Sequence, residues 1–129
     1  MLRRIHLVRV QPAPELSVLD RLSAALASAL RVSCHVAADQ VDARFAYDPA
    51  RGQFNSTAIL AALAALPASP DATLLGVTEG DLYVPVLTFV FGEAQMPGRA
   101  SLVSLHRLRN EFYGLAPDHD LLRERLVKE

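Results

Sequence analysis

Cysteine is nearly absent from this chain of 129 residues: Cys34 stands alone. One thiol cannot close an intramolecular disulfide, and it cannot build a Cys-x-x-Cys zinc ribbon. A dominant charge is missing as well. The 13 basic and 14 acidic residues are mixed along the chain and leave a formal charge of −1. Beyond the local cluster of His106, Arg107 and Arg109 there is no basic patch, which argues against nucleic-acid binding. Long hydrophobic runs are lacking too. The apolar stretch over 58–66 falls far short of the ~18 residues that a spanning helix requires. Met1-Leu2-Arg3-Arg4 leads straight into a strand-like segment without the apolar core of a signal peptide. Together these absences predict a cytoplasmic protein that meets neither membrane nor nucleic acid.

Catalytic signatures are equally scarce. His6, His35, His106 and His119 include no pair spaced to grip a metal from one helix. Cys34 and His35 are adjacent on a predicted strand, so they point to opposite faces. His6 reads as a packed ring with one hydrogen bond. Glu79 and Asp81 flank Gly80 and read as turn chemistry rather than an acid pair. Ser101 and Ser104 sit in no G-x-S-x-G elbow, and the glycines at 76, 80, 92 and 98 fit neither a Walker A loop nor G-x-G-x-x-G. The residues present supply no catalytic and no metal-binding set.

What the chain does have is apolar patterning, at 51% hydrophobic residues. That is either a compact core rich in Ala and Leu or part of a larger core missing its cover. Apolar residues on both faces over 5–10 predict a covered strand. After Pro12, Pro14 opens a helix in which Leu16, Leu19, Leu22, Leu26 and Leu30 recur at helical spacing. Val32, Cys34 and Val36 then restart a strand, which makes a βαβ unit with parallel strands. Residues 39–53 read as a polar loop. Asn55 or Ser56 caps a second helix carrying Ile59, Leu60, Leu63 and Leu66, which Pro67 ends. Residues 73–78 are a central strand. Residues 82–91 form an edge strand, because Pro85 cannot donate to a ladder. Residues 92–99 should reverse the chain and 100–105 form a further strand. A short helix is expected over 107–115, and from Asp118 an amphipathic helix carries Leu121, Leu122, Leu126 and Val127. No repeat or linker divides the chain, so 1–129 reads as one α/β (α+β) domain.

The aromatic, uncharged run around Phe89 is unusual for an edge strand, which is ordinarily blunted by charge. It suggests an edge left open to an extended peptide. This run and its neighbours resemble the archaemetzincins, zinc metallopeptidase-like proteins of the metzincin clan. The resemblance is carried by Gly76-Val77-Thr78, Asp81-Leu82-Tyr83-Val84-Pro85, Phe89-Val90-Phe91-Gly92-Glu93-Ala94-Gln95, Val103-Ser104-Leu105, Arg107-Leu108, Glu111-Phe112-Tyr113-Gly114 and the stretch from Leu122 to Glu129. It implies the N-terminal subdomain of that fold: a twisted mixed five-stranded sheet with one antiparallel edge strand, backing helices, and the first half of the active-site helix. Phe89, Val90, Phe91, Gly92, Glu93 and Ala94 would supply the substrate edge. In the family that helix continues into H-E-x-x-H-x-x-G-x-x-H, which holds a catalytic zinc, and cysteines beyond it bind a second zinc. None of these residues occurs here. The resemblance therefore predicts a chain stopping just before the zinc motif, inactive by itself, with no metal of its own and a peptide as the substrate of the full-length family. The alternative is a non-catalytic domain that binds a peptide or protein through the open edge, or self-associates through exposed apolar surface.

Overall fold

The computed structural model describes residues 4–68, 71–95 and 98–108. Among these, five strands form a mixed sheet in the order β2-β1-β5-β8-β7. They are β1 (Arg4–Gln11), β2 (Ser33–Asp42), β5 (Ala72–Thr78), β7 (Gly92–Ala94) and β8 (Ala100–Ser104). All neighbours are parallel except β7, which lies antiparallel to β8 at the edge. The sheet, its central β5 and its single antiparallel edge strand follow the sequence expectation. A second, three-stranded sheet joins β3 (Tyr47–Asp48), β4 (Gln53–Asn55) and β6 (Leu82–Tyr83).

Alternation along the strands divides the core into two layers. On one face Leu7, Val77 and Leu105 meet Val18, Leu19, Leu22 and Leu26 of α1 (Leu16–Leu30). On the other, Val8, Val10, Leu74 and Leu102 meet Ile59, Leu60 and Leu63 of α2 (Ser56–Ala64). Burying each such leucine is worth about 1.5–3 kcal/mol, so the layers dominate the stability. Gly76 lets α2 approach: a Cβ there would lie 2.5 Å from Leu63 Cδ1. Asn55 caps α2, accepting from Ala58 N at 3.1 Å. Arg99 closes its other end on the carbonyls of Leu66 (2.7 Å) and Ala68 (3.1 Å). No helix among the described residues is long and apolar enough to cross a membrane.

Several expected elements are displaced. Helix α1 starts at Leu16, not Pro14, with Glu15 as its N-cap. Strand β2 runs on to Asp42 through an irregularity opposite Leu7 and Arg9, because Val41 still finds a buried seat. The loop expected over 39–53 holds the end of β2, a 3-10 turn at Ala43–Ala46, and β3. The largest correction concerns 82–91. That strand is not formed: Leu82–Tyr83 pairs into the small sheet, 84–91 is an excursion around Pro85, and the edge strand is Gly92–Ala94, inside the segment expected to reverse the chain. Beyond Leu108, the short helix over 107–115 and the final helix from Asp118 lie outside the described residues.

Candidate functional site

Of the six residues expected to form the substrate edge, the structure brings only Gly92, Glu93 and Ala94 into a strand; Phe89, Val90 and Phe91 lead into it from the excursion. Phe91 O accepts from Ser104 N at 2.8 Å, and Gln95 N donates to Ala100 O at 3.0 Å. In an antiparallel pair, residues alternate between facing the partner and facing away. Glu93, opposite Leu102, falls in phase with Phe91 and Gln95, so the N–H and C=O groups of Gly92 and Ala94 face outward. Among the described residues no strand pairs with that side. Beneath it opens a groove of about 740 Å³, lined by Ile5, Leu22, Leu75, Phe91 and Val103 among others. Glu93 turns the other way, and its carboxylate accepts from Ser56 Oγ at 2.5 Å and Thr57 Oγ1 at 3.0 Å, at the start of α2.

The excursion over 84–91 is held by a polar cluster invisible in local sequence. Asp81, 9% exposed, receives Arg107 in two bonds, Nε to Oδ1 at 2.9 Å and Nη2 to Oδ2 at 3.0 Å. Gln53 Nε2 donates to Asp81 Oδ2 at 2.9 Å and to the Thr88 carbonyl at 2.8 Å. Arg51 reaches the Leu87 carbonyl at 2.9 Å and stacks 3.9 Å over Tyr83. Arg107 stacks 3.9 Å over Phe89, whose ring meets Phe91 edge-on at 5.3 Å. Asp81 is thus the hub that fixes the approach to β7, rather than a simple turn residue. Sequence reasoning missed Gln53 and Arg51, which lie in the segment expected to be a polar loop.

Among the described residues, two partly buried groups, Asp81 and His6, make the fold acid-sensitive. Burial alone would raise Asp81, but hydrogen bonds from Arg107 and Gln53, with the charges of Arg107 and His106, hold it below 3.8. His6 is lowered from 6.5 by burial first, then by His35 and Arg4, against a smaller opposing pull from Asp71. Its ring lies 4.3 Å from that of His35, and its buried Nε2 has no hydrogen-bond partner. Both groups favour the deprotonated form in the fold, so both stabilise it at neutral pH. The contribution of His6 is lost as pH falls below 6.5, and that of Asp81 as it falls below 3.8. Urea midpoints measured from pH 7.5 downward should therefore fall in two stages, and His6→Asn should remove the first alone. A flat profile down to pH 4.5 would contradict this.

Cys34 behaves as a packed residue. It is half-buried in the α1 layer, and burial raises its thiol above the ordinary value despite a lowering contact from Ser23. Among the described residues, no three His, Cys, Asp or Glu side chains converge on one point. They do not fit a metal centre, and no metal-dependent step is built on them. What the described residues do bring together is an unpaired stretch of main chain at Gly92 and Ala94 beside an apolar groove.

A model of peptidase family M54 matches residues 36–129. The chain belongs to peptidase family M54. It is 54% identical over 85 residues to the archaemetzincin of Methanocaldococcus jannaschii, an overlap of 66% of this chain and 45% of that protein. The chain thus spans about half the length of such relatives. Among solved structures, a zinc-dependent peptidase from Methanocorpusculum labreanum superposes with a TM-score of 0.82 at 32% identity, covering 97% of this chain and 75% of that one. The archaemetzincin of Methanopyrus kandleri gives 0.78 at 35% identity, covering 98% and 68%. The family resemblance read from the motifs around Phe89 and the mixed-sheet fold both stand.

Proposed function

We propose that these 129 residues form the substrate-binding part of an M54 zinc-dependent peptidase, with β7 taking an extended peptide as a sixth strand, and that the chain alone does not hydrolyse it. The observation that carries this reading is the outward-facing main chain of Gly92 and Ala94 above an apolar groove. Backbone bonds to such an edge give affinity whatever the peptide sequence, while the groove accepts apolar side chains. The peptidase part rests on family membership and on the zinc-dependent peptidase that superposes on the chain. Hydrolysis needs an H-E-x-x-H helix, and none of the four histidines is followed by glutamate. Catalytic zinc, and the second zinc expected in full-length members, belong in this reading to parts of those members that these 129 residues do not include. The cytoplasm suits it, since a reducing compartment keeps the lone Cys34 a thiol.

Elemental analysis of the purified chain should find no stoichiometric zinc, and mass spectrometry should recover an incubated peptide intact. One zinc per chain, or peptide fragments that EDTA suppresses, would contradict the proposal. A second reading is favoured by Val86 (88% exposed) and Leu87 (51%) at the tip of the excursion. In it this face meets another copy of the chain or a protein partner, and sedimentation at rising concentration distinguishes the two.

A further inference from the structure

We propose that Glu93 is a positioning residue, tying β7 to the first turn of α2 so that Gly92 and Ala94 are held in line for a peptide. This inference rests on β7 being the peptide-binding edge. A strand of three residues, paired on one side, has little to keep it in register when its other side is loaded. Side chains alternate along it, and Glu93 is the one turned toward the α2 layer, opposite Leu102. There its carboxylate accepts from the hydroxyls of Ser56 and Thr57, the first two residues of α2.

Three features make this a directed tie. The N–H groups opening a helix carry partial positive charge, so a carboxylate is favoured at that spot. Ser56 is fully buried, so its hydroxyl is aimed at Glu93 and kept from water. The helix is itself anchored: Ile59 and Leu63 are fully buried against the sheet, and Arg99 closes its far end. The helix therefore fixes the height of Glu93. The outward groups of its two neighbours follow, since one residue cannot shift along the strand without the other. Glu93 itself keeps its side chain off the outer edge, leaving that edge to main chain.

Two readouts on the 129-residue chain test the tie: amide hydrogen exchange by NMR, and anisotropy of a fluorescein-labelled extended alanine-rich peptide. Glu93→Ala should speed exchange of the Glu93 and Leu102 amides about tenfold while β1 and β5 amides hold their rates. It should weaken the peptide about fivefold. Glu93→Gln, whose side-chain oxygen still accepts from Ser56, should recover part of both effects, and it keeps the test open if the alanine variant does not fold. The double variant Ser56→Ala, Thr57→Ala should reproduce Glu93→Ala. Exchange rising equally across the whole sheet would make Glu93 an ordinary stabilising contact and overturn the proposal. So would a loosened β7 with unchanged peptide affinity. If the wild-type chain binds no peptide at all, the reading of the edge fails, and with it the positioning role; selective loosening of β7 would then mark Glu93 as a structural tie only.

Discussion

Replacing Asp81 with alanine should lower folding stability by about 3–5 kcal/mol, the usual loss when one partner of a buried ion pair is removed. Asp81 receives both bonds from Arg107 and one from Gln53, and only 9% of it is exposed. Its removal takes two charge-assisted bonds from Arg107 and one acceptor from Gln53, where the Asp81 side chain is itself only 10% exposed. A domain of this size is stable by about 5–15 kcal/mol in all, so the loss is a large share of the total. Its melting temperature should drop by about 10–20 °C. Urea unfolding checks the free energy, and a loss below about 1 kcal/mol would mean the pair is solvated like a surface bridge. The damage should also reach the edge: Gln53 and Arg107 hold Thr88 and Phe89, so the excursion leading into β7 loosens with them.

Gly92→Ala should weaken peptide binding by at least about tenfold while leaving most of the fold intact. A Cβ at Gly92 would run into the carbonyl oxygen of Leu102, which is backbone and cannot swing aside. Strand β7 must then back away from β8, taking Ala94 with it. Overpacking of this kind costs about 1–3 kcal/mol, small beside the loss expected at Asp81. Binding should suffer far more, because two outward-facing residues are all the edge offers. Affinity for an extended peptide should fall by about tenfold or more, as anisotropy would show. Retained affinity would mean that the peptide does not use this edge.

Much of the architecture was legible in the sequence because it rests on period. Leu19, Leu22 and Leu26 at helical spacing and the doubly apolar strands β1 and β5 each carry their own signal over many residues. Strands of two or three residues carry none, so β3, β4 and β6 could not be seen. Read locally, Pro85 looks like a fault in one long edge strand. The chain instead leaves the small sheet there, touches it again through Val90 bridging Leu82, and joins the large sheet at Gly92, with Arg51 holding the carbonyls of Leu87 and Thr88 from far away in sequence. Glu93 shows the same limit: within the substrate-edge motif it looks like one more edge residue, and only the fold reveals Ser56 and Thr57 facing it. The family was legible from the order and spacing of the motif series, even where the roles of its residues were not.

The most direct test of the peptide-binding edge is a ¹⁵N NMR titration of the 129-residue chain with an extended, uncharged peptide. If β7 accepts a strand, the amides of Gly92 and Ala94 move downfield and become protected from exchange, while Glu93, already bonded inward to β8, shifts little. Shifts centred on Val86 and Leu87, or on the exposed strand β2 at the opposite side of the sheet, with Gly92 and Ala94 unmoved, would contradict it.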